Sequence, residues 1–287
     1  MWYICKLDSR IITAMKGLKM FSLAVAACLA TVSLTGCDFV AKFLAGEDGA
    51  DVVESLGDML GGGTLSAVET AQNAVVNGNT LTYGSHTYTI VSDIDVNTRE
   101  YKTPTASVTF TNVPANYAEF EAVYKGLLGK SIAGTAAMIP MAIELYARDA
   151  AVGERCLNLL CNSDATVSGI VRILKTKLVP SQYAPENDSY IQRYMAAALL
   201  KGAVNTNAYT PDRPYTVEMT MSPNGVKDAP LTGGEVTYIY ILAQGWDTFQ
   251  RGVDIFQAYD DTYYKVFNCP SCYVQCKNIR GTWPGLE

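Results

Sequence analysis

Between residues 87 and 97 apolar and polar side chains take turns: Tyr88, Ile90, Ile94 and Val96 are interleaved with Thr87, Thr89, Asp93, Asp95 and Asn97. Successive strand residues face opposite ways, so this two-residue period predicts a half-buried strand, and residues 107–111 (SVTFT) predict another. The period then lengthens. Phe120, Val123, Tyr124, Leu127 and Leu128 share one helical face, as do Ile191, Tyr194, Met195, Ala198 and Leu199. Val167, Ile170, Val171, Leu174 and Leu178 predict a third amphipathic helix, with Ser163 or Asp164 as its cap. Residues 132–146 are apolar almost all round, interrupted by Pro140 and Glu144, and predict a kinked central helix enclosed by the others. After the turn-rich stretch 205–214, strand patterns return at 215–222, 235–243, 252–259 and 262–268, with Asp260-Asp261 turning the last hairpin. Strands, then helices, then strands, without βαβ alternation, predict an α+β fold: a helical cluster packed with a mostly antiparallel sheet.

The first 79 residues read differently. Lys16 and Lys19 precede the apolar run 20–34, and small residues lead to Cys37, the layout of a secretory signal. Those fifteen residues reach only about 22 Å as a helix, short of the roughly 30 Å hydrocarbon core, so a transmembrane span is not predicted. Leu34-Thr35-Gly36-Cys37 resembles the lipobox of bacterial lipoproteins, which implies cleavage before Cys37 and a lipid on its sulfur. Met15 or Met20 would be a more usual start than Met1. The expected organisation is a signal peptide over 1–36, a tether with short helices over 37–79, where glycines 46, 49, 57 and 61–63 interrupt the chain, and an α+β domain over 80–287.

Charge narrows the partners. The chain carries 22 basic and 28 acidic residues. Loss of residues 1–36 removes Lys6, Arg10, Lys16, Lys19 and Asp8, leaving 18 and 27, a formal −9. This balance argues against nucleic acid, and membrane contact is expected through the N-terminal lipid alone. A single histidine, His86, gives no His cluster for a metal and, near a predicted hairpin turn, reads as a surface imidazole. Gly129-Lys130-Ser131 has the end of a phosphate-binding loop, but Tyr124 occupies the place of the first glycine, and the segment reads as a helix C-terminus. Asp93, Asp95 and Asn97 copy the first half of a calcium loop, with Thr98 in place of the turn glycine and Pro104 in place of the last acid, so a solvated strand face is expected. No metal or other cofactor is predicted.

Cys156, Cys161, Cys269, Cys272 and Cys276 are candidates for structural disulfides in an oxidising compartment, ahead of redox chemistry or zinc at the Cys269-x-x-Cys272 spacing. Cys156 and Cys161, five apart, point away from each other on a continuous helix. The remaining signal is 18 tyrosines and three tryptophans. Many of these aromatics concentrate in the last strands, where Trp246, Tyr259, Tyr263 and Tyr264 are the candidate binding face for a glycan or an envelope protein.

Three segments, AMIPMAIELYARDAAVGERCLNLL, LLKGAVNTNAYTPDRPYTVEM and YYKVFNCPSCYVQ, together resemble a family of lipoproteins and secreted proteins from gut-type Bacteroidota with a domain of unknown function, over about residues 115–276. The resemblance implies an envelope location and no catalytic residue or cofactor. Cys269, Cys272 and Cys276 depart from its pattern. The expectation is a lipid-anchored envelope protein acting as a non-catalytic binding or structural module. The alternative is an envelope enzyme, a hydrolase or a thiol–disulfide catalyst at Cys269 and Cys272.

Overall fold

The computed structural model describes residues 74–95, 103–178, 192–229, 233–246, 248–274 and 276–287, all within the unit Ser66–Glu287. Cys37, most of the expected tether and Asn97 lie outside the described residues. Eight strands form one antiparallel sheet in simple sequence order: β1 (Ala74–Asn77), β2 (Thr80–Tyr83), β3 (His86–Ser92), β4 (Thr105–Phe110), β5 (Tyr215–Ala229), β6 (Gly234–Leu242), β7 (Gln250–Ala258) and β8 (Lys265–Asn268). The fold is α+β. The strand expected to run to residue 97 stops at Ser92, and the sheet starts at Ala74, six residues before the expected start of the domain. Two-residue turns join β1 to β2 and β2 to β3, each opening on a glycine, Gly78 or Gly84, at φ +58°. A hairpin turn of this kind needs positive φ at its first position, which glycine adopts without steric cost.

Among the described residues, the four α-helices belong to one excursion between β4 and β5: α1 (Tyr117–Gly126), α2 (Ile132–Arg148), α3 (Ala150–Leu160) and α4 (Asp164–Lys177). The excursion leaves at Phe110 and returns at Tyr215, which face each other across the two strands. Each helix has a side-chain N-cap: Asn116, Ser131, Asp149 and Ser163 respectively. Every residue of α2 from Ile132 to Tyr146 is buried, because strands of the sheet cover one side of it and α3 another. That enclosure explains why its sequence is apolar all round.

One helix expectation is corrected. Residues 193–199 form two 3-10 turns, Arg193–Met195 and Ala197–Leu199, in place of an α-helix. The segment from Met195 to Leu200 is buried on every residue; its apolar spacing reflects complete enclosure, not one helical face.

The inward face of the sheet carries Tyr88, Val108, Phe110, Val217, Ile239 and Val253, which join α2 in a single core. Its outward face is lined with hydroxyl groups. Thr89, Thr109, Thr216 and Thr220 alternate with the core residues, and the hydroxyl pairs Thr80–Thr89 and Thr109–Thr216 lie 2.9 and 3.3 Å apart across neighbouring strands.

Candidate functional site

Where the outward face reaches β6 and β7 its chemistry changes from threonine to tyrosine. On β6, Ile239 and Ile241 are buried in the core, so Tyr238 and Tyr240 point outward by alternation. Tyr240 lies between Thr220 of β5 and Gly252 of β7, and Tyr238 lies opposite Asp254, which in turn lies opposite Asn268 of β8. Two cross-strand rows of side chains result, one beside the other.

Gly252 makes the arrangement possible. A β-carbon there would stand 2.2 Å from the phenol oxygen of Tyr238, so the bare backbone lets that ring lie over β7. The two tyrosine rings meet nearly edge to face, with centroids 4.9 Å apart at 72°. The Ser271 hydroxyl donates to the Gly252 carbonyl at 3.0 Å and ties the turn after β8 to this floor. Thr248 and Gln250, exposed at the start of β7, complete the rim. Together these groups surround an open cleft of about 360 Å³, within the size range of small-ligand sites.

The aromatic residues singled out in the sequence do not gather into one face. Trp246 is core: it is 3 % exposed, its indole N–H donates to the Ala198 carbonyl at 3.0 Å, and the Arg251 guanidinium covers its ring at 4.1 Å. Tyr263 stacks on Tyr124 with centroids 5.5 Å apart. Tyr264 is half-buried against the core, its N–H donating to Gly129 and its carbonyl accepting from the Tyr124 hydroxyl at 2.7 Å. Tyr259 is exposed, in the turn that follows β7. Trp246 is therefore withdrawn from the binding face. Tyr238 and Tyr240 take the place expected of these four; the Tyr-Ile-Tyr-Ile alternation of β6 was a legible sign that the two rings share a face, while their neighbour Gly252 follows only from the cross-strand register.

The expected disulfides are absent among the described residues. Cys156, Cys161, Cys269, Cys272 and Cys276 are all buried free thiols. Cys156 lies within α3 while Cys161 caps its end; a separation of five residues turns two helical side chains about 140° apart. Cys269 and Cys272 bracket a 3-10 turn, their thiols hydrogen-bonded to each other but unbridged. The Cys276 thiol is turned to the Gln192 side-chain oxygen at 3.4 Å. Burial pushes the Cys156, Cys161 and Cys276 thiols up to about 12. The Cys269 thiol is raised well above its ordinary value by its hydrogen bond to Cys272 and by burial. Thiolates are disfavoured there, the reverse of what a thiol catalyst needs.

His86 is less bland than its sequence context suggests. Its Nδ1 lies 2.6 Å from Glu119 Oε1, which also accepts from the Tyr88 hydroxyl at 2.7 Å, while Glu119 Oε2 accepts from the Ala115 N–H at 2.7 Å. A carboxylate buried to 2 % exposure thus pins α1 to β3. Gly129-Lys130-Ser131 joins α1 to α2: Ser131 caps α2, and Lys130 donates to the Gly126 carbonyl at 3.1 Å. The segment therefore follows a helix end, as the sequence suggested, with Lys130 on the last carbonyl of α1, and it also leads into α2. A phosphate-binding loop would instead follow a strand.

A family model described as a domain of unknown function, DUF6935, matches residues 112–280, which include α1 to α4, β5 to β8 and the whole cleft. The chain belongs to the DUF6935 family. No curated protein and no solved structure matches it. Within the DUF6935 span the matched residues hold both tyrosine rows, and β1 to β4 extend the sheet on its N-terminal side.

Proposed function

We propose that the protein is a lipid-anchored lipoprotein of a Bacteroidota cell envelope whose α+β domain is a non-catalytic binding module, with the Tyr238–Tyr240 cleft as its binding site. Anchoring is supported by the lipobox-like Leu34-Thr35-Gly36-Cys37. The observation that carries the binding reading is the composition of the cleft: two tyrosine rings over a glycine floor, ringed by amides and hydroxyls, with Asp254 as the one carboxylate among the lining residues and the buried Arg251, stacked on Trp246, as the one cation. A glycosidase works with a pair of carboxylates flanking the scissile bond. One acid among amides and phenols suits holding a ligand.

The test is made in the envelope. The Cys37→Ser chain should lose acyl labelling and accumulate as precursor; normal labelling would refute the anchor. A photo-crosslinking phenylalanine analogue at Gln250, exposed in the cleft, should yield an adduct with an envelope component. The same probe at Val75, exposed on β1 across the sheet, should not. Equal yields at both positions, or none at Gln250, would refute the cleft as the binding site.

A further inference from the structure

We infer that the ligand of the cleft is an uncharged glycan chain, at least two sugar rings long, and this inference rests on the cleft being the binding site. A sugar ring presents two kinds of surface, an apolar face of axial C–H groups and an equatorial belt of hydroxyls, and each hydroxyl both donates and accepts. Tyr238 and Tyr240 supply faces and edges for the first. The amides of Gln250 and Asn268 and the carboxylate of Asp254 are planar groups that engage neighbouring hydroxyls in pairs, and the hydroxyls of Thr248 and Ser271 add single donors and acceptors.

Charge selects among glycans. Two charged residues line the cleft, Asp254 and Arg251; Arg251 is 7 % exposed with its guanidinium laid over the Trp246 ring, while Asp254 is half-buried on the outward face. The whole chain carries a formal −6, so sulfated, phosphorylated and uronic-acid chains meet like charge at Asp254 and a cation already engaged by an indole. Shape selects for length. The cleft is an open depression: Thr220, buried to 9 % exposure, closes its Tyr240–Gly252 row on the β5 side, and the Tyr238–Asp254 row continues on the β8 side into the exposed Asn268. A chain that stacks on the tyrosines can run on over β8.

The probes are neutral oligosaccharides of two to eight residues, covering glucans, mannans, xylans and galactans, beside sulfated and uronic-acid chains of equal length, presented on an array to the full lipidated chain in detergent. Neutral chains should be retained and charged ones should not. Tyr240→Ala should weaken retention about tenfold through the lost stacking. Asn268→Ala, at a position exposed to solvent and so harmless to the core, should weaken it about fivefold through lost hydrogen bonds. Tyr259→Ala, exposed but not among the cleft residues, should bind as the unaltered chain does. Retention of no neutral chain, retention of charged chains only, or equal binding by Asn268→Ala and the unaltered chain would overturn the glycan assignment. A Gln250 crosslink to a protein would then leave the cleft standing as a site for a different ligand, whereas failure of the crosslink would remove both.

Discussion

Glu144 carries a carboxylate into the most apolar element of the chain. Its side chain is 4 % exposed, Oε1 accepts from the Arg148 Nε at 2.9 Å, and Oε2 has no hydrogen-bond partner. Burial raises its pKa above the ordinary carboxylate range, against the opposing pull of Arg148. A raised pKa means that the folded state holds its proton more tightly than the unfolded chain does. The contribution to stability is therefore complete below the ordinary glutamate value and is lost as pH rises through the folded one. Glu144→Gln keeps the shape and cannot ionise, so its melting temperature should fall less than that of the unaltered chain between pH 4 and pH 8. A variant that melts lower by the same margin at every pH would show that the Arg148 bond outweighs the burial cost. Glu119, equally buried, illustrates the contrast: both of its oxygens are occupied by partners from β3 and the start of α1. Neither situation was legible in the sequence, where Glu119 is an ordinary first-turn acid and Glu144 only an interruption in an apolar run. The difference lies in what the fold brings to each oxygen.

Periodicity carried most of the elements because each is built from one repeated environment. The four strands after residue 214 overlap the segments where alternation placed them, although β5 runs on to Ala229, seven residues past its expected end, and β8 starts at Lys265, after Tyr263 and Tyr264; α1, α2 and α4 coincide with their apolar patterns. The failures have physical causes. The stretch 194–199 is buried on every residue, so its spacing held no information about helical period. α3 escaped notice although Val152, Cys156, Leu157 and Leu160 are helically spaced behind the Asp149 cap, because Gly153 breaks the pattern. That glycine has a reason to be there: a β-carbon at 153 would stand 2.2 Å from the Tyr146 Cα and 2.4 Å from its backbone nitrogen, where α3 crosses α2. Helix propensity alone says that Gly153→Ala should gain up to about 1 kcal/mol. Contact with backbone says otherwise, since a main chain cannot rotate away and α3 itself has to move, at a cost of about 1–3 kcal/mol plus the packing given up. The expected outcome is net destabilisation of about 2 kcal/mol in urea titration, and a stabilised variant would show that α3 can shift freely on α2.

Among the described residues, a meander of eight strands with its four α-helices inserted between β4 and β5 leaves one face of the sheet to build the core and carries the threonine and tyrosine rows on the other. The cleft was the least legible part in the sequence because its members come from β6, β7, β8 and the turn after β8, and only cross-strand register puts Tyr240 beside Gly252 and Tyr238 beside Asp254. Local pattern could sort aromatic residues into two faces of a strand but not say which rows align. The same sheet makes β1 a test of how the fold is bounded. Val76 pairs with Leu81, which is fully buried, and a β-carbon at Gly126, the end of α1, would stand 2.5 Å from Leu81 and 3.7 Å from Val76. Removing β1 thus uncovers one side of the Leu81 contact and leaves β2 as the sheet edge, while β2 to β8 keep their register. Burial of a leucine side chain is worth roughly 1.5–3 kcal/mol in full, and only part of that is lost here. A chain beginning at Thr80 should therefore still melt cooperatively but be about 1 kcal/mol less stable than one beginning at Ser66, which retains all eight strands. The measurement is a pair of urea titrations. Equal stability would mean that β1 contributes nothing to the core, and loss of the cooperative transition in the shorter chain would mean that the sheet cannot form without its first hairpin.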